Sequence, residues 1–215
     1  MIRNWRFAAA VALVLAAVAA AQETAPAKVD VAKAQQIATQ ICAACHGPDG
    51  NSATSANPNL AGQHADYITV QLAHFKAGIR VNAIIQGMVA NLSDDNIRAL
   101  GVYFSQQKPR GLTAKDPALV KVGQKIYRGG DQARELPACA ACHSPTGAGI
   151  PKNYPRVAGQ YADYTYAQLK AFKSGDRGAD KAGKDANGRI MSAIAEKMSD
   201  DQMKAVADYM AGLRN

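Results

Sequence analysis

Ile41-Cys42-Ala43-Ala44-Cys45-His46 is met again as Ala138-Cys139-Ala140-Ala141-Cys142-His143, and the two stretches use all four cysteines of the 215-residue chain. Cys-x-x-Cys-His is the pattern by which a protein holds haem covalently: each thiol adds to one vinyl group, and the adjoining imidazole ligates the iron. Two intervening residues bring the sulfurs over neighbouring edges of one porphyrin, and a histidine directly after the second sulfur falls beneath the metal. Other uses of paired cysteines fit less well. A zinc ribbon separates its two pairs by ~15–20 residues, whereas about ninety intervene here. A thioredoxin-like redox pair follows a strand in a βαβ setting, and the flanks here have helical spacing. The reading is two covalent haem c groups, attached through Cys42, Cys45, Cys139 and Cys142, with His46 and His143 on the irons.

Outward from these motifs the chain repeats itself. Cys42 through Gly78 maps onto Cys139 through Gly175 at a constant offset of 97: Ala61-Gly62-Gln63 answers Ala158-Gly159-Gln160, Asp66-Tyr67 answers Asp163-Tyr164, and Gln71-Leu72 answers Gln168-Leu169. Leu92-Ser93-Asp94-Asp95 then pairs with Met198-Ser199-Asp200-Asp201 at offset 106, so the second copy has gained nine residues near Asp176 to Gly188. Upstream, Gln35-Gln36-Ile37 pairs with Gln124-Lys125-Ile126 at offset 89, a further gain of eight before the second haem motif. Two domains are expected, 22–108 and 109–215, joined around Lys108-Pro109-Arg110-Gly111, where proline and glycine discourage a continuous helix.

Both copies carry one helical pattern. Val31, Ala34, Ala38 and Ile41 recur at helical spacing before the first motif, as Leu119, Val122 and Ile126 do before the second. A further helix runs through Tyr67, Leu72 and Phe75, and through Tyr164, Leu169 and Phe172. A last one runs through Ile97, Leu100 and Phe104, and through Met203, Val206 and Met210, behind the N-cap residues Ser93 and Ser199. No convincing alternating strand is present. The fold class is all-α, two tandem helical domains each wrapped around one haem, whose faces supply the core that so small a domain lacks.

Residues 1–21 read as a secretory signal. Arg3 and Arg6 precede an apolar run from Phe7 to Ala20, and Ala19-Ala20-Ala21 offers a cleavage site before Gln22. The run is shorter than the ~20 apolar residues that span a bilayer. Export to a bacterial periplasm agrees with thioether-linked haem. The whole chain has 25 Lys and Arg against 17 acids. The excess sits in the second half: 22–108 carries six bases and six acids, 109–215 seventeen and eleven. Such asymmetry can steer an acidic partner, and without a basic block interleaved with aromatics it does not suit nucleic acid.

With these residues in place, the mature sequence resembles the two-haem cytochrome c4 family of periplasmic electron carriers. The likeness rests on the signal, the two haem motifs, the Ala-Gly-Gln segments, Tyr127-Arg128-Gly129-Gly130 and the Met-Ser-Asp-Asp run. It implies two class I cytochrome c folds facing each other, His46 and His143 as proximal ligands, and a methionine opposite each. It also implies that Pro58 and Pro155 offer backbone carbonyls to the rings of His46 and His143, fixing their tautomers. Met191, eight residues before the cap Ser199 and on a loop, has the position that looks like the family's ligand. The equivalent residue before Ser93 is Ile85, a departure. Met88, the first domain's one methionine, is then the default ligand, provided a flexible loop brings it in; otherwise it points into the core, as its counterpart Ile194 would. Met198, Met203 and Met210 read as core, and His64 and His74 as surface residues outside the haem machinery.

The function expected is electron carriage without substrate chemistry, because histidine and methionine together leave iron no open position. Redox proteins, acidic and membrane-bound, are the implied partners: a quinol-oxidising complex or dehydrogenase as donor and a terminal oxidase as acceptor, with possible peripheral association with the membrane. The rival is a di-haem peroxidase-like enzyme, or the haem subunit of a dehydrogenase, if the first haem lacks its methionine.

Overall fold

A computed structural model describes residues 29–179 and 183–214; the signal at 1–21 and its cleavage before Gln22 lie outside them. In the first half α1 (Val31–Ile37) passes through one turn of π-helix (Ala38–Cys42) into α2 (Ala43–His46), so that the haem motif closes an almost continuous rod. Asp30 caps the rod by accepting from Lys33 N at 2.9 Å. Then follow α3 (Ala65–Lys76), α4 (Ala83–Val89) and α5 (Asp94–Ser105). The second half repeats the order with α6 (Pro117–Gly129), α7 (Ala140–His143), α8 (Ala162–Ser174), α9 (Ala186–Glu196) and α10 (Asp200–Gly212). Among the described residues there is no strand, only the isolated bridges Asp131–Leu136 and Ile150–Tyr154.

Local chemistry sets the helix starts. Pro117 opens α6 at a position where its missing N–H costs nothing, behind the Asp116 cap. Ser93 and Ser199 both form full capping boxes, with Asn96 and Gln202 returning the bond. Each half has its own core. In the first, α1 and α3 pack on α5 around Ile68, Leu92, Ile97, Leu100 and Phe104. In the second, α6 and α8 pack on α10 around Ile126, Tyr127, Leu169, Val206 and the buried Met198, Met203 and Met210. Glycine permits the closest helix contacts. A side chain at Gly101 would lie 2.5 Å from the Ala65 carbonyl of α3, and one at Gly123 would run into the Ala205 carbonyl of α10.

Two anchors hold the linker. Buried Asn51 donates to Lys108 O at 3.0 Å and accepts Arg110 N at 2.7 Å. Asp208, buried in α10, accepts Lys115 N at 2.9 Å and Asp116 N at 3.0 Å. The segment between the halves therefore lies down on both.

Candidate haem sites and the interface between them

Each haem motif ends a short helix and turns sharply behind its histidine. Gly47 makes the turn at φ 75°; Ser144 makes the same turn at φ 67°. Tyrosines brace both turns from the core: Tyr103 donates to Pro48 O at 2.9 Å, and fully buried Tyr127 to Ser144 O at 2.7 Å. Ser52 adds a bond to Cys45 O at 3.0 Å.

The imidazoles are set alike. His46 Nδ1 lies 2.9 Å from Pro58 O and His143 Nδ1 2.9 Å from Pro155 O, each twelve residues on. A carbonyl oxygen can only accept, so the proton belongs on Nδ1 and the lone pair on Nε2, the form a metal needs. Burial pulls both imidazoles below the ordinary histidine value, and the carbonyl bonds oppose it. Burial pushes Cys42 up to about 11, with Cys45 adding to the shift, and pushes Cys139 up to about 11 with Cys142 adding. Burial thus favours the neutral thiol at Cys42 and Cys139.

In each half a further helix, α4 or α9, carries Met88 or Met191. Both stand on helices, where the sequence suggested loops. The reason is capping: Asn82 accepts from Ile85 N at 3.1 Å and Asp185 from Gly188 N at 2.8 Å. Val89 and Ala195 bury one face of these helices, while Ile84 and its repeat partner Ile190 are 65% and 53% exposed. Met191 is half-buried and packs on the second core. Met88 is 49% exposed and does not enter the first core, as its counterpart position suggested. Exposed apolar side chains in each half, together with an oriented imidazole and two thiols, fit a large apolar ring that bonds to both sulfurs.

The sequence did not announce how the halves meet. Arg80 and Arg177 continue the 97-residue offset past Gly78 and Gly175, and they form a reciprocal cluster. Arg80 donates to Tyr164 Oη at 3.0 Å and to Gln168 Oε1 at 2.9 Å; Arg177 donates to Tyr67 Oη at 2.8 Å and Gln71 Oε1 at 3.0 Å. Each guanidinium lies over a phenylalanine of its own half, Phe75 at 4.6 Å and Phe172 at 4.4 Å. Gln63 accepts Arg156 N and donates to Arg156 O, both at 2.9 Å, and Gln160 does the same with Asn59 at 2.9 Å. One patch thus meets its own copy about a pseudo-two-fold axis, as in a symmetric dimer. The same contact removes His64 and His74 from the open surface expected for them. His64 Nε2 is buried, and His74 faces Asp185 of the second half at 3.9 Å.

Paired motifs on paired helical domains define a di-haem c-type cytochrome. The cytochrome c family model matches residues 31–116 and again 120–214. Cytochrome c4 of Azotobacter vinelandii is 42% identical over 192 residues, covering 85% of this chain and 89% of its own. The structure of reduced recombinant cytochrome c4 from Pseudomonas stutzeri matches with a TM-score of 0.80 at 37% identity, over 87% of this chain and 100% of that one. A thiosulfate dehydrogenase electron acceptor of Thiomonas intermedia is 39% identical over 173 residues, 79% of this chain and 77% of its own. The chain belongs to the cytochrome c family, in the di-haem cytochrome c4 group, and carries two covalently bound haem c groups for electron transfer.

Proposed function

We propose that this protein is a periplasmic shuttle that takes electrons from a quinol-oxidising complex or a dehydrogenase and delivers them to an acceptor such as a terminal oxidase. The reading is supported most by the matched pair of sites, each with an oriented imidazole beside two thiols, on two halves joined by side-chain hydrogen bonds, whose bounds we take as 22–108 and 109–215. The dehydrogenase arm draws on the relative named as an acceptor of thiosulfate dehydrogenase. An exported chain, with its signal at 1–21 removed, meets such partners at the outer face of the membrane.

Bound haem supplies a one-electron iron couple. Cys42, Cys45, Cys139 and Cys142 fix its position through thioethers, and His46 and His143 present Nε2 while Pro58 and Pro155 hold Nδ1–H. Met191, half-buried on α9, would offer its thioether to the second iron. For the first iron the sequence offered Met88, but α4 is capped by Asn82 in a register that puts Ile85 where Met191 lies, so Met88 is not assigned to that iron. The hydrogen-bonded interface joins the two halves, so an electron accepted by one would be able to pass to the other without domain motion.

Acid-acetone extraction followed by intact-mass measurement tests the attachment, with both haems expected to stay on the chain. The reduced protein should then be re-oxidised by membranes containing a terminal oxidase. Release of haem into the solvent, or reduced protein that the membranes leave unchanged, would defeat the reading.

A further inference from the structure

The two halves share one register through α4 and α9, and in it a methionine of the second half stands where the first half has an isoleucine. At offset 106, α4 matches the central part of α9, with Val89 on Ala195, both buried. Both helices are pinned at their starts by a side-chain cap. In this register Ile85 has the place of Met191, and each is a partly buried side chain packed against the core of its own half. Met88 has the place of Ile194 and is 49% exposed. To bring its sulfur to the place of Ile85, α4 would slide by three residues, about 4.5 Å along its axis. That movement would break the Asn82 cap and draw Val89 out of the core, and α4 is a capped helix rather than the flexible loop such a movement needs.

We infer that the first domain binds a small neutral diatomic molecule at the haem face covered by Ile85, and that the second domain does not. The inference rests on the carrier reading above. A hydrocarbon side chain has no lone pair to give a metal, so among the described residues in register only His46 can ligate the first iron, whereas Met191 can give a thioether to the second. Ile84 and Ile85 make that wall apolar, which suits an uncharged ligand such as carbon monoxide over an anion. The bond is a coordinate one from the carbon lone pair to ferrous iron; no electron or proton is transferred and nothing leaves. The asymmetry is specific to this chain's own repeat: the copy with methionine at the shared position is closed, and the copy with isoleucine is open.

The test uses the purified full-length holoprotein, reduced under nitrogen and titrated with carbon monoxide while the Soret band is followed. One carbon monoxide per chain, hence half of the haem, is expected. Ile85→Met, which nearly preserves volume, should abolish the binding, and Met88→Leu should leave it at one per chain. Three results would overturn the inference: no binding by the natural protein, binding of two per chain, or binding that begins only once Met88 is replaced. Uptake of two electrons, measured on the same sample, reads the carrier function separately, so failure of one is told from failure of the other.

Discussion

At the scale of the residue, small polar side chains decide how the sites are held. Asn51 is buried, and its amide receives or gives three bonds: to the Asp49 carboxylate at 2.8 Å, to Lys108 O at 3.0 Å, and from Arg110 N at 2.7 Å. Asn51→Ala leaves the linker's Arg110 N–H and Lys108 C=O without these partners, at about 1–3 kcal/mol for each group that stays unpaired. Thermal melts of the holoprotein should show a lowered midpoint. Asp49 adds a pH signature. The side-chain and backbone N–H groups of Asn51 hold its carboxyl below the ordinary carboxylate value. A lowered value means the carboxylate's contribution is full at neutral pH and fades as pH falls through that lowered value. Asp49→Asn should therefore destabilise the protein at pH 7 and approach the natural protein's stability in acid, read by denaturant titration at both. A gap that widened in acid would contradict the assignment. The repeated Cys-x-x-Cys-His was plain in the sequence because the chemistry demands those residues at that spacing. Asn51 was not, since an asparagine in a loop has no pattern until its partners are placed.

Among the elements, the long helices were legible and the short ones were not. The runs through Tyr67 to Phe75 and Ile97 to Phe104 have enough apolar residues at helical spacing to announce themselves, and α3 and α5 stand there. α4 and α9 carry interior glycines at Gly87 and Gly188, and α4 has only seven residues, so apolar periodicity did not mark them as helices and their Asn82 and Asp185 caps passed unnoticed. Placing Met88 and Met191 on helices removes the slack that a loop would have given Met88. Packing between elements offers a separate test. α6 crosses α10 at Gly123, where any side chain meets the Ala205 carbonyl and the Tyr209 Cβ. Gly123→Ala should cost roughly 1–3 kcal/mol through overpacking, although alanine is the better helix former. The same change at Gly129, at the end of the same helix with nothing near, should be close to neutral. Denaturation midpoints of the two variants check the contrast, and equal effects would count against it.

For the whole molecule, the family resemblance implied that the two folds face each other, and the side chains that pair across their pseudo-symmetric interface are what reading along the chain missed. Gln63, Tyr67 and Gln71 showed as repeats of Gln160, Tyr164 and Gln168, but a repeat alone does not say that the copies touch one another. Because the contacts are reciprocal, Gln63→Ala and Gln160→Ala should lower stability by similar amounts, on the order of 1–3 kcal/mol each for the buried groups left unpaired. Charge is distributed without that symmetry. With the excess of bases in the second half, exchange with an acidic membrane partner should slow as salt rises, since exposed charges are screened beyond ~8–10 Å at physiological ionic strength. Reversing the exposed Lys121 and Lys125 of α6 to Glu should slow it more than reversing Lys33 of α1, measured by stopped-flow re-oxidation. Underlying each of these expectations is one rigid chain that holds two one-electron centres. Coulometric titration of the purified protein, followed through the haem bands, tests this most directly. Two electrons per chain, taken up and returned without any substrate, are predicted; uptake of one, or none, would contradict the account.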